Sequence, residues 1–169
     1  MSQELERQYQ SICNEYGGSL FRLASSYESV PDVREDLLQE IRLALWKALP
    51  AFRGECSLRT FVFRVAHNRG LTHVWRRRIQ AQFSEDLPDF VEVGDPRPDP
   101  EASAIRNADH ASLMKAIRRL PIAYRQVITM ALEELPQSEI AAVLGISENN
   151  VAVRLNRGRK LLRQELGGR

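Results

Sequence analysis

Residues 81–100, "AQFSEDLPDFVEVGDPRPDP", restrict the fold more than any other stretch of this chain. Four prolines stand among the acids Glu85, Asp86, Asp89, Glu92, Asp95 and Asp99, and no apolar period is sustained between them. Proline fixes φ and removes a backbone donor, so neither a helix nor a central strand runs through such a segment. A chain interrupted here folds as two parts, each with a core of its own. The segment itself is expected to be a flexible acidic linker.

Both flanks carry helical periodicity. Pro31 and Asp32 suit a helix start, and Leu37, Ile41, Ala44, Leu45 and Ala48 recur at helical spacing until Pro50 ends the pattern. "FRGEC" reads as a short loop, after which Ser57 is a good N-cap for a helix through "LRTFVFRVAHNRGLTHVWRRR". Beyond the linker the period resumes near Glu101 and stops before Pro121; a further helix covers about 122–133, and two more follow. No segment alternates as a strand would. The predicted fold is all-α: two small helical domains, 1–80 and 105–169, joined by a flexible acidic linker over 81–104, with a helix-turn-helix in the C-terminal domain.

An apolar content of 43% with 27% charged residues suits a soluble globular protein. The net charge of +2 says little about partners, so the distribution of charge has to. From Phe52 to Arg78 the bases Arg53, Arg59, Arg64, Arg69, Arg76, Arg77 and Arg78 face one acid, Glu55. A basic block, an acidic block and a second basic end therefore follow one another. The N-terminus has no cationic start followed by an apolar run, and no stretch approaches the roughly 20 apolar residues of a membrane span, so a cytoplasmic location is expected. Cys13 and Cys56 lie far apart without CxxC spacing and are read as free thiols. There is no P-loop and no pair of metal ligands at helical spacing, so neither cofactor, metal nor enzymatic activity is expected. His67, His73 and His110 are scattered without acidic partners and are read as surface or DNA-facing residues.

Near the C-terminus, Ile140, Ala141 and Leu144 give a short helix an apolar face, Gly145 supplies a turn, and Ser147 can cap the next helix. On that helix Val151, Leu155, Gly158 and Leu162 form one stripe, which should pack inward. The opposite side carries Asn149, Val153, Asn156, Arg157 and Lys160, with Asn150, Ala152 and Arg154 beside them. Amides can pair with adenine, arginine with guanine and valine with a thymine methyl, while the remaining bases suit phosphates. An ordinary amphipathic hairpin is also polar outside; the glycine turn, the cap and this outer face together favour a groove-reading helix.

In the N-terminal part, inward Leu37, Ile41 and Leu45 put Glu35, Gln39, Leu43 and Trp46 on the far side of their helix. A tryptophan and a leucine beside carboxylates make either a protein-binding surface or a helix sandwiched between two others. In the next helix an unbroken phase gathers Thr60, Arg64, His67, Asn68 and Trp75 on one side. Aromatic, amide and cation together suit single-stranded DNA, whose bases stack while arginines follow the backbone; the aromatics could equally be core.

Taken together, these stretches resemble bacterial sigma factors of the extracytoplasmic-function (ECF) group over nearly the whole chain. "EDLLQEIRLALWKALPAFRGECSLRTFVFRVAHN" resembles sigma region 2, and "LPIAYRQVITMALEELPQSEIAAVLGISENNVAVRLNRGRKLL" resembles region 4. The resemblance implies that Asp36, Leu37, Leu38, Gln39 and Glu40, with Leu43 and Trp46, dock on the beta-prime clamp helices of core RNA polymerase. It implies that Gly54, Glu55, Cys56 and Ser57 capture a flipped base of the minus-ten element, with Arg53, Arg64, His67, Asn68, Trp75, Arg76 and Arg77 assisting melting. Region 4 would meet the beta flap and read the minus-thirty-five element through Asn149, Asn150, Val153, Arg154, Asn156, Arg157 and Lys160. The linker would thread the polymerase channel, and an anti-sigma factor would hold a protein that is otherwise monomeric. This chain departs from the family pattern at Asn149 and Asn150, where glycine-threonine is frequent, at Ala152, where a base is frequent, and at Pro136, where serine or threonine usually caps. Cys56 in the capturing loop is either a small filler or an oxidation-sensitive thiol.

Two other functions compete with a sigma factor. A stand-alone helix-turn-helix regulator would need a dimer seam outside the motif, and none is evident. An enzyme acting on nucleic acid would need a carboxylate or His/Cys cluster that the sequence does not assemble.

Overall fold

The structure, a computed structural model, describes residues 3–83 and 101–167; most of the expected linker, residues 84–100, lies outside the described residues. The helices are α1 (Gln3–Tyr27), α2 (Pro31–Ala48), α3 (Leu58–Phe83), α4 (Glu101–Arg119), α5 (Ile122–Leu132), α6 (Gln137–Leu144) and α7 (Glu148–Gly167), with a 3-10 turn at Leu49–Ala51 after α2. The described residues contain no strand and divide into two compact units, α1 to α3 and α4 to α7. The predicted all-α fold in two helical domains is what the chain adopts.

In the first unit three helices pack against one another around Ile12, Leu20 and Leu23 of α1, Leu37, Leu38, Ile41 and Leu45 of α2, and Val62, Phe63 and Ala66 of α3. Removing each large apolar side chain from water stabilises the fold by about 1.5–3 kcal/mol. The sequence assigns no element to α1. Gly17 and Gly18 sit mid-helix, where glycine disfavours helix by about 1 kcal/mol each, so α1 owes its form to the apolar stripe it buries. α2 begins as predicted, with Pro31 in its first turn and Val30 giving no side-chain cap.

α3 meets α1 along Phe63, His67 and Gly70. The Phe63 and Tyr16 rings lie edge to face at 6.5 Å, and Tyr27 Oη is 2.8 Å from His67 Nδ1. A Cβ on Gly70 would lie 2.5 Å from the Tyr27 ring, so only glycine lets α3 pass that close. α3 starts at the expected cap: Ser57 Oγ accepts the Thr60 amide at 3.0 Å.

The second unit wraps α4, α6 and α7 on α5. Its core joins Met114, Ile117 and Leu120 to Val127, Ile128, Met130, Ile140, Val151 and Leu155. Arg125 donates to the carbonyls of Arg118 and, at 3.1 Å, Leu120, closing the end of α4. A Cβ on Gly158 would stand 3.1 Å from Ile128 Cγ1 and 3.3 Å from Tyr124 Cβ, so this glycine seats α7 tightly on α5.

Two helix ends in this unit share one hydrogen-bond pattern. After α5, Leu135 N–H bonds the Met130 carbonyl at 3.1 Å and Glu134 takes φ +60°. After α6, Ile146 N–H bonds the Ala141 carbonyl at 3.1 Å and Gly145 takes φ +67°. Pro136 precedes the first turn of α6, and its carbonyl accepts the amides of Glu139 and Ile140. The left-handed conformation suits glycine and strains glutamate. Glu134→Gly should therefore stabilise the second unit by about 1 kcal/mol and Gly145→Ala destabilise it by about as much. Native-state hydrogen exchange of α5 and α7 amides in the full chain measures both; equal protection in the two variants and the wild type would contradict the assignment of strain.

Candidate nucleic-acid interface

α7 is set by α6 and by its own cap, in which Ser147 Oγ accepts the Asn150 amide at 3.1 Å. Val151, Leu155 and Gly158 are buried as the periodicity requires, whereas Leu162 is only partly covered. Asn149, Asn150, Val153, Asn156, Arg157 and Lys160 are exposed, and Arg154 is half-buried beside them. One helix face therefore offers amides, an apolar methyl pair and cations to solvent.

The predicted single-strand face of α3 is divided by the fold. Thr60 and His67 are buried, His67 with 1% of its surface exposed, while Asn68 and Trp75 are exposed and Arg64 is half-buried. His67 is therefore corrected from a DNA-facing residue to a core residue: the phase of α3 is set by Tyr27 against Gly70, which the α3 sequence alone does not reveal. Burial holds the His67 imidazole near pKa 3, so it is neutral at ordinary pH. The face left open carries Asn68, Thr72, Trp75 and Ile79, of which Trp75 is 58% exposed.

The loop before α3 holds Arg53, Gly54, Glu55 and Ser57 at the surface with Cys56 half-buried. Gly54 has φ +74°, and the Phe52 and Phe61 rings, 4.7 Å apart, pin the loop's base to α3. Ser57 already serves as the cap of α3, and its hydroxyl donates to Thr60 Oγ1 at 2.9 Å.

On α2 the inner stripe of Leu37, Ile41 and Leu45 is buried, and Asp36, Gln39 and Leu43 are exposed, Leu43 at 51%. Gln39 donates to Glu35 at 2.9 Å. Trp46 is not the free outward ring that the spacing suggests. It is half-buried edge to face against Tyr9, with centroids 4.9 Å apart, because α1, unassigned in the sequence, covers that side. Burial is also the first cause of the rise of the Tyr9 phenol to about 12.

Glu40 lies 3.5 Å from Arg76 and 4.0 Å from Arg69, so an acid expected to face a partner also ties α2 to α3. A stronger attachment ties the end of α1 to α3. Glu28, 4% exposed just beyond α1, accepts from the Val30 amide at 2.9 Å, meets His73 Nε2 at 2.9 Å, and accepts from Arg77. Burial alone would raise its pKa; the hydrogen bonds of His73, Val30 and Arg77 outweigh burial and hold it at about 2. His73 therefore has an acidic partner, which corrects the reading of the histidines as unpartnered. The only hint in the sequence is the i, i+4 spacing of His73 and Arg77, which lets one carboxylate serve both. Among the described residues no group of His, Cys, Asp and Glu is placed to hold a metal ion, and no helix is long and apolar enough to cross a membrane.

The described residues thus form a helix-turn-helix unit and a three-helix unit with a basic third helix. Family models for sigma-70 region 2 and sigma-70 region 4 match residues 12–79 and 110–162, most of the chain between them. The RNA polymerase sigma factor CnrH of Cupriavidus metallidurans is 28% identical over 165 residues, covering 93% of this chain and 85% of its own length. The RNA polymerase sigma factor YlaC of Bacillus subtilis is 28% identical over 166 residues, covering 97% and 91%. Among solved structures, the sigma factor RpoE in complex with the anti-sigma factor NepR, from Bartonella quintana, shares the fold at a TM-score of 0.78 and 22% identity, covering 95% of this chain and 98% of its own. The chain belongs to the sigma-70 family, in the ECF group built from regions 2 and 4. It is a sigma factor of transcription initiation rather than a stand-alone regulator.

The two shifted groups make the first unit acid-labile. His67 is lowered from 6.5 to about 3, so between those values the unfolded chain takes up a proton that the folded one refuses. Glu28 is lowered from 4.5 to about 2, and its contribution, present above 4.5, is lost as pH falls toward 2. Both act in one direction. The unfolding midpoint of this unit, followed by tryptophan fluorescence, should fall as pH drops below about 6.5, and His67→Gln should flatten the fall down to about 4.5, where Glu28 takes over. An unchanged slope in that variant would contradict the burial argument.

Proposed function

We propose that this sigma factor binds core RNA polymerase through α2, reads two promoter elements with its two units, and melts the duplex at the upstream edge of the start region. The observation that carries the reading is Leu43: a leucine left 51% exposed among Asp36, Gln39 and Glu40, on the helix that resembles the clamp-binding helix of the family. Single exposed apolar side chains are common on proteins, and what gives this one weight is its place on that helix among those polar residues. Leu43, Asp36, Gln39 and Glu40 meet the beta-prime clamp helices, and Trp46 supports that face by packing on Tyr9. The second unit meets the beta flap.

In the second unit α7 enters the major groove of the minus-thirty-five element. Asn149, Asn150, Val153, Asn156 and Arg157 face base edges, and Arg154 and Lys160 take phosphates. In the first unit the loop of Gly54, Glu55, Cys56 and Ser57 receives a flipped base of the minus-ten element, and Arg53, Arg64, Asn68, Trp75, Arg76 and Arg77 lie along the melted strand. Unpairing costs a few kcal/mol per base, and capture of the flipped base offsets part of it, so no nucleotide hydrolysis is required. The acidic segment between the units threads the polymerase channel. Control falls to an anti-sigma factor, as the RpoE–NepR complex suggests for a protein of this fold. Free of partners, the protein is a cytoplasmic monomer.

Leu43→Ala, which removes an apolar anchor from the α2 face, should weaken binding to core polymerase about tenfold with the fold intact. Fluorescence anisotropy of the labelled protein with purified core measures this, and unchanged affinity would remove α2 from the interface. Selection from a random promoter library, with and without core, tests the whole reading. Retention should require core and return two short elements at fixed spacing, and Arg157→Ala should relax preference at the upstream element alone. A symmetric site selected by the protein without core would refute it.

A further inference from the structure

The last turns of α3 pose a problem that the core does not solve. From Leu71 to Gln82 no side chain is buried, yet Trp75, Arg76 and Arg77, which belong to the proposed melting surface, all lie there. A helix so poorly covered frays and rolls unless something other than apolar packing holds it. Two carboxylates do so. Glu40 of α2 reaches Arg76 at 3.5 Å with both partners largely in solvent, a weak contact. Glu28 is different: it is 4% exposed, fixed by the Val30 amide at 2.9 Å, and it holds His73 and Arg77 one turn apart.

Two grips one turn apart on the same side prevent rotation about the helix axis. At about 100° per residue, Trp75 lies roughly 160–200° around the helix from both His73 and Arg77. The side of α3 opposite the Glu28 grip is thus the side on which Trp75 stands 58% exposed. Gly70, one turn before His73 and on the side that Glu28 holds, meets the Tyr27 ring, so the α1 contact continues as polar contacts where the apolar ones end.

We infer that Glu28 is a positioning residue for promoter melting: its buried carboxylate, gripping His73 and Arg77, sets the rotation and the order of the last turns of α3 and so aims Trp75 at the strand being unpaired. The inference rests on the proposed role of the first unit in melting. It assigns a role to a residue outside every surface that touches DNA or polymerase. The large apolar side chains of the core lie elsewhere, so loss of the grip lowers the stability of the unit, as protonation of Glu28 does, and leaves it folded at neutral pH with its α2 face unchanged.

The test uses holoenzyme reconstituted from core polymerase and the full chain carrying Glu28→Gln, which can keep the Val30 hydrogen bond while losing the charge. Opening is followed by 2-aminopurine fluorescence in the minus-ten element, and transcription is measured in parallel from the same promoter with that element already mismatched into a bubble. On the duplex, opening should slow about tenfold, the effect of losing a charged hydrogen bond. On the bubble, activity and the affinity for core should stay within about twofold of wild type, the scatter of a substitution that touches neither partner. His73→Ala, which removes the grip's other partner without touching the proposed DNA surface, should slow duplex opening too, and the double variant should be no slower than the worse single one. Equal losses on duplex and bubble would mean a general folding role and would overturn the inference, as would duplex opening at the wild-type rate. A wild-type protein that opens no promoter with core would instead overturn the melting reading on which the inference rests.

Discussion

The contact between Tyr27 and Gly70 sets the geometry of the first unit. A side chain of any size at position 70 would meet the tyrosine ring, so α1 and α3 approach at the distance that a missing Cβ permits. That approach fixes which residues of α3 turn inward. His67 is carried into the core, where its Nδ1 pairs with the Tyr27 hydroxyl and its ring stacks on Phe63 at 6.3 Å. Asn68 and Trp75 are carried outward by the same rotation. One close approach thus decides both the neutral state of a buried imidazole and the surface that the helix shows to solvent.

Much of the architecture could be read in the residues because its signals are local. Pro31, Pro50, Pro121, Gly145, Ser57 and Ser147 act on their own neighbourhoods, and the helices begin and end at or beside them. The two faces of α7 were legible for a related reason: a stripe of Val151, Leu155 and Gly158 at helical spacing points one way whatever it packs on. Surfaces that depend on another helix were not. Trp46 has the spacing of an outward residue, and its partial cover by Tyr9 comes from a helix whose glycine pair hides its period. α3 has apolar residues on several sides, so two phases fit its sequence and only α1 chooses between them.

The buried ionic contacts illustrate the same limit. Glu28, His73 and Arg77 are 45 and 49 positions apart in the chain, and nothing near Glu28 announces that it will be enclosed. A carboxylate removed from water and then supplied with three donors is held tightly in place, its contacts outweighing the cost of burying it at neutral pH. Such a contact favours one arrangement over its neighbours more than it favours folding over unfolding. The second unit obtains its order by other means, through helix ends closed by backbone hydrogen bonds and by Arg125.

In α7 the residues that hold the helix and the residues that face outward are disjoint sets. Val151, Leu155 and Gly158 are buried, Gly158 directly against α5, while Asn149, Asn150, Val153, Asn156 and Arg157 touch solvent. Substitutions on the outer set carry little penalty for the fold. On the proposed groove-reading role of α7, one copy left by a gene duplication can exchange its outer residues step by step and acquire a new target, each intermediate still folding. Divergence of target along such a lineage would be limited by the DNA it must serve and scarcely at all by the stability of the protein.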